Sequence, residues 1–192
     1  MVISTSRQYV FVNLTKCASQ SLRAVLLDHF DGIPNPGTHH QNDVAMGYRR
    51  FFTFACVRNP YDRLISIWYS TVYTRQDDRY DLRRHCGSAE LVPFLEWLVS
   101  VEPYNALMFS QAGWLRNVRL SMVLRFENLA EEVRRLPFWR PDVKLEHRNR
   151  SKGRKPWQDY MTGEVIGLVN RWAGEDFSHY GYEMLDPEAQ KA

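Results

Sequence analysis

Phe54-Ala55-Cys56-Val57-Arg58-Asn59-Pro60-Tyr61-Asp62-Arg63-Leu64-Ile65-Ser66 is the stretch from which the fold is read. Phe51 to Val57 is a short run of apolar, aromatic and β-branched residues, the pattern of a buried strand. Asn59 then supplies a helix cap and Pro60 a first helical residue. Leu64, Ile65, Trp68 and Val72 recur at helical spacing, so an amphipathic helix follows. Arg58 falls at the carboxyl end of the strand, where open α/β sheets bind ligands, and a guanidinium can bond two oxygens of one anion. Ser66, eight positions on, adds a hydroxyl from the helix. Asp62 and Arg63 are expected to form charge pairs on the helix surface.

A second segment repeats the plan. Tyr9 to Leu14 reads as another buried strand, and Thr15-Lys16-Cys17-Ala18-Ser19-Gln20-Ser21 turns from it into a helix beginning near Leu22. Backbone N–H groups at a helix start, together with the helix dipole, make such a turn an anion site, and Lys16 adds a point charge. The pattern is not a Walker A loop, because Lys16 precedes the small residues and the G-x-x-x-x-G-K-[ST] spacing is absent.

Together the two segments resemble the sulfotransferases that use 3′-phosphoadenosine 5′-phosphosulfate (PAPS). Leu14 to Leu22 is similar to that family's loop for the 5′-phosphosulfate, and Val57 to Ser66 to its loop for the 3′-phosphate, with the same arginine-to-serine spacing. Arg125-Phe126-Glu127-Asn128-Leu129 and His147-Arg148-Asn149-Arg150-Ser151 add weaker echoes, the latter of the carbohydrate-modifying branch. The resemblance implies a single sulfotransferase domain over residues 1–192, with a P-loop-NTPase-like three-layer α/β fold and a mainly parallel sheet flanked by helices. It also implies Lys16, Cys17, Ala18, Ser19, Gln20, Ser21 and Leu22 at the 5′ end of the nucleotide, and Arg58 and Ser66 at its 3′-phosphate. Arg148, Ser151 and Arg154 compete for further nucleotide contacts. Gln20 departs from the small Ser or Thr more usual in the family.

The chemistry assigns the remaining roles. As the bond to sulfur breaks, negative charge grows on the leaving phosphate oxygen of 3′-phosphoadenosine 5′-phosphate (PAP), and Lys16 is the cation placed to stabilise it. The acceptor hydroxyl needs a base, and histidine suits that task near neutral pH. His39 and His40 lie between the two nucleotide segments, where the carbohydrate branch places its catalytic histidine; His40 is favoured and His39 held in reserve. A hydroxyl of a glycan or other polar alcohol is the expected acceptor. A small-molecule kinase and a noncatalytic binder of sulfated glycan or nucleic acid are the alternatives. No metal is expected, since no Walker-B-like acid follows an apolar strand.

Composition agrees with one enzyme domain. The 192 residues can bury a sizeable core, and 44% hydrophobic with 14% aromatic content excludes a disordered chain. The net charge of +3 gives no broad nucleic-acid footprint. Basic residues crowd locally instead, from Lys144 through Arg148, Arg150, Lys152 and Arg154 to Lys155. Cys17, Cys56 and Cys86 are too few and too widely spaced for a disulfide framework or a zinc site, so a reducing, cytoplasmic setting is expected, with Cys56 a buried thiol. No apolar run reaches the length of a membrane span. The sequence does not specify an oligomeric state.

Further helices are expected over Leu22 to Phe30, near Asn42, over Ser88 to Ser100, Asn128 to Leu136 and Thr162 to Trp172, with a strand at Val118 to Phe126 and a polar turn region from Asp31 to His40. Most tryptophans fall on apolar faces and read as core. Trp157 is also read as packing, not as an adenine platform.

Overall fold

The computed structural model describes residues 1–35, 43–74, 86–103, 106–146 and 153–190. The chain divides into two compact units, each assembled from separate stretches of sequence: residues 1–58 with 114–150, and residues 59–113 with 151–192.

The first unit holds the sheet. Its strands are β1 (Val2–Ser4), β2 (Tyr9–Val12), β3 (Ile33–Pro34), β4 (Phe52–Val57) and β5 (Met122–Arg125), in the order β3-β1-β2-β4-β5. β2, β4 and β5 are mutually parallel, in a register that pairs Val12 with Ala55 and Val57 with Arg125. β1 runs antiparallel to both β2 and β3. Four strands therefore point one way and β1 the other, so the mainly parallel sheet expected from sequence is a mixed one with an antiparallel margin. β2 and β4 are almost wholly buried, which explains why they read as continuous apolar runs.

Two strands depart from the sequence reading. β1 was not anticipated, and β3 lies inside the region read as a polar turn. Both are too short to show a period, and what defines them is pairing: β1 with β2, and β3 with β1. The helix after β2, α1 (Ser19–His29), starts three residues earlier than expected because the chain reverses at Ala18, whose φ is 56°. Tyr9, Phe54 and Phe138 cluster beneath the sheet, with Tyr9 stacked on Phe138 at 4.3 Å, and Phe30 stacks on Trp139 at 4.8 Å. Leu129, Val133 and Leu136 point inward as expected, although their segment is one short α-helical turn between two 3-10 turns.

The second unit is helical. Its long elements are α2 (Pro60–Tyr69), α3 (Leu91–Ser100) and α6 (Gly163–Tyr180); between α3 and α6 in sequence come α4 (Gln111–Leu115) and α5 (Leu129–Glu132), the short turn just described. Leu64, Ile65 and Trp68 of α2 share a core with Phe94, Leu95 and Leu98 of α3 and Val165, Ile166 and Val169 of α6. These are the apolar stripes visible in the sequence. α6 continues past Trp172, with a kink at Ala173, and so brings the buried carboxylate of Asp176 to the backbone N–H groups of Gln111 and Ala112, at 3.0 and 2.7 Å. It ends on Gly181, at φ 62°, the left-handed stop that glycine adopts without steric cost.

Arg63 corrects the expectation of a surface pair. Its side chain is fully buried, donates to the Phe109 carbonyl at 2.9 Å and lies 5.3 Å from the centre of the Trp172 ring. A guanidinium is tolerated there because a carbonyl and an aromatic face replace lost water.

Candidate active site

The turn from β2 into α1 is built from backbone. Lys16 and Ala18 both take left-handed conformations, at φ 65° and 56°, which folds the chain back over the strand end. The Cys17 N–H bonds to the Leu14 carbonyl, and the Ser19 hydroxyl donates to that same carbonyl, so Leu14 ties the turn together. α1 has no side-chain cap and no acid in its first turn. Non-glycine residues in this conformation cost about 1–2 kcal/mol each, so the shape of this turn is maintained against local preference.

The other strand end meets this turn directly. Because β2 and β4 are parallel neighbours, Arg58 emerges beside the Lys16 loop, and its Nη1 donates to the Lys16 carbonyl at 3.0 Å. Parallel pairing of Val57 with Arg125 also sets Phe126 next to Arg58, and the guanidinium sits 4.1 Å from the centre of that ring. A contact of this kind contributes about 1–2 kcal/mol where water is excluded, and Arg58 is only 7% exposed. In the sequence Phe126 is only part of a weak motif; the parallel register is the signal that identifies its contact with Arg58.

The predicted residues are distributed as follows. Lys16, Ala18 and Ser19 are half-buried and Gln20 is exposed. Ser21 is buried on the first turn of α1. Cys17 is buried, its thiol donates to the Thr15 carbonyl at 3.6 Å and its N–H to the Leu14 carbonyl, so the residue closes the turn. Leu22 is buried, and its N–H is taken by the Ala18 carbonyl at 3.0 Å. Ser66 and Arg154 belong to the second unit. Ser66 is buried on α2, and Arg154 Nη1 bonds Asp62 Oδ1 at 2.8 Å. His39, His40, Arg148 and Ser151 lie outside the described residues, as does His147, and where a short helix is expected to start near Asn42 the described residues hold one 3-10 turn, Met46–Tyr48.

Beneath the site, burial pushes the Cys56 thiol well above its ordinary range, helped by Cys17 and Glu127 and opposed by Arg58. It is thus a neutral packing group, as its place in an apolar strand indicated. Among the described residues no group of three or more His, Cys, Asp or Glu side chains is arranged to hold a metal, and no helix is long and apolar enough to cross a membrane.

A lysine-bearing loop at one strand end and an arginine at the next thus stand side by side on neighbouring parallel strands. The sulfotransferase family model matches residues 1–183, and the chain belongs to that family. It is therefore a PAPS-dependent enzyme of sulfuryl transfer. Comparison with curated proteins and with solved structures gives no significant match.

Proposed function

We propose that the enzyme transfers the sulfuryl group of PAPS to a hydroxyl of a glycan or another polar alcohol. The observation that carries the nucleotide half of this reading is the hydrogen bond from Arg58 to the Lys16 carbonyl, which puts both cation-bearing segments at one edge of the sheet. In this reading Lys16 and the backbone of Ala18, Ser19, Gln20 and Ser21 hold the 5′ end of PAPS, and Cys17, whose N–H is bonded to the Leu14 carbonyl, keeps the turn closed around it. Arg58 holds the 3′-phosphate, and Ser66, Arg148 and Ser151 keep the contributing roles that the resemblance gives them. Leu22 serves the site by anchoring α1, its N–H being engaged inside the helix.

Lys16 stabilises charge that grows on the leaving phosphate oxygen, an interaction stronger in the transition state than before it. His40, with His39 as the alternative, removes the acceptor proton. Residues 1–192 act as one sulfotransferase domain of P-loop-like, three-layer architecture; the support is that the family match runs through both compact units. A cytoplasmic location is part of the proposal and rests on cysteine usage.

The test is transfer of labelled sulfate from PAPS to a panel of glycans and simple alcohols. His40→Ala is expected to lower turnover by about 10²-fold or more while PAP affinity is retained, the ordinary scale of general-base catalysis. Undiminished turnover in both His40→Ala and His39→Ala would remove the histidine base from the mechanism. Transfer to alcohols but to no glycan would remove the carbohydrate reading alone.

A further inference from the structure

Arg154 is held by the helix that follows the arginine strand, and the way it is held changes the role expected of it. Its Nη1 lies 2.8 Å from Asp62 Oδ1, with the two side chains only 16% and 14% exposed. Asp62 belongs to the first turn of α2, where its own N–H is accepted by the Asn59 cap at 3.3 Å. The residue before it, Tyr61, stacks on Trp157 with ring centres 5.4 Å apart and planes within 13°. Two consecutive residues of one helical turn therefore grip two residues of the segment 153–160, one by charge and one by an aromatic face.

That grip is reinforced from behind. The Tyr61 hydroxyl donates to Asn170 Oδ1 at 2.6 Å and accepts the Leu185 N–H at 2.8 Å. Tyr61 is fully buried, so the first turn of α2 is fixed to α6 and to the chain beyond it. Gly153, just upstream, takes φ +80°, and a β-carbon added there would stand 3.2 Å from the Tyr69 hydroxyl. The segment thus enters through a turn that only glycine makes without strain, and is then pinned at 154 and 157.

We infer that the Asp62–Arg154 pair is a positioning device for nucleotide binding: Asp62 sets Arg154 and the backbone of 153–155 on the first turn of α2. Arg154 then acts through this clamp and is not chiefly a ligand of the phosphate. The inference rests on the proposed nucleotide reading and deepens it by adding Asp62, the acid that holds Arg154. A carboxylate close to a bound dianion repels it. Its presence is explained if ordering the arginine and its segment outweighs that repulsion.

The sign of one substitution separates the two roles. If Arg154 were simply a phosphate ligand, Asp62→Asn would remove a nearby negative charge, and PAP would bind as well as before or more tightly. If the pair is a clamp, Asp62→Asn releases it and PAP binding weakens. We expect a loss of about tenfold, the scale of coupling between contacting charged residues. Arg154→Gln should lose a similar factor, and the double variant Asp62→Asn with Arg154→Gln should be no weaker than the poorer single one. In kinetics the loss should fall on the KM for PAPS, with kcat at saturation changed less than twofold to threefold, roughly.

Calorimetry with PAP on wild type and the three variants reads the outcome, with melting curves to establish folding. Should Asp62→Asn fail to fold, Asp62→Glu displaces the carboxylate by one methylene and should weaken PAP in the same direction. Unchanged or tighter PAP binding by the Asp62 variant overturns the clamp while leaving the nucleotide reading intact. A wild type indifferent to PAP overturns both.

Discussion

The two strand-to-helix turns do opposite things with the start of their helices. After β2 the chain passes through two left-handed residues, Lys16 and Ala18, and enters α1 with neither a side-chain cap nor an acid in the first turn. After β4 it enters α2 behind a proline, with the Asn59 side chain accepting the N–H groups of Tyr61 and Asp62, and with Asp62 itself in the first turn. The first turn is thus open and unfavourable in isolation, while the second is closed and self-sufficient. In the proposed function the open turn offers backbone and dipole to an anion, whereas the closed one leaves recognition to the side chain that precedes it, Arg58. A nucleotide with unlike ends can be bound by unlike devices at neighbouring strand ends.

That contrast predicts unequal consequences. The largest belongs to Lys16: Lys16→Met should lower kcat at saturating PAPS by about 10²–10³-fold, the scale for removing a donor aimed at developing charge, with a much smaller change in PAP affinity. A variant that raised KM and left kcat alone would make Lys16 a binding residue only. The smaller effect belongs to the closed turn. Asn59→Ala should cost about 1 kcal/mol and lower Tm by about 2–4 °C, with PAP affinity nearly unchanged. Loss of PAP binding out of proportion to that shift would show that the second turn also receives an anion through its backbone, and the contrast between the turns would fail.

Much of this was legible in the sequence because it is local. β4, the Asn59 cap, Pro60 and the apolar stripe of α2 all follow from residues within one turn or strand of each other. The Lys16 and Arg58 segments stood out for the same reason, and the parallel pairing of β2 with β4 brings them together, while their anion-binding role is the reading proposed above. What escaped is non-local. β1 and β3 exist by pairing, and Arg63 is buried because Phe109 and Trp172, distant in sequence, provide a carbonyl and a ring. Phe126 beneath Arg58 and Asp62 beside Arg154 belong to the same class, since each becomes meaningful only once a partner from another element is known. The left-handed conformation of Ala18 was equally hidden, because alanine carries no signal for it.

The central claim is that the Lys16 loop and Arg58 together bind the two phosphate-bearing ends of one adenosine nucleotide. Calorimetric titration of PAP and of ATP into wild type and Arg58→Ala, both verified as folded by melting, tests it most directly. PAP should bind wild type more tightly than ATP does, and Arg58→Ala should weaken PAP by about tenfold or more, the value of a charge-assisted pair of hydrogen bonds. Equal PAP affinity in the two proteins, or tighter binding of ATP than of PAP, would contradict it.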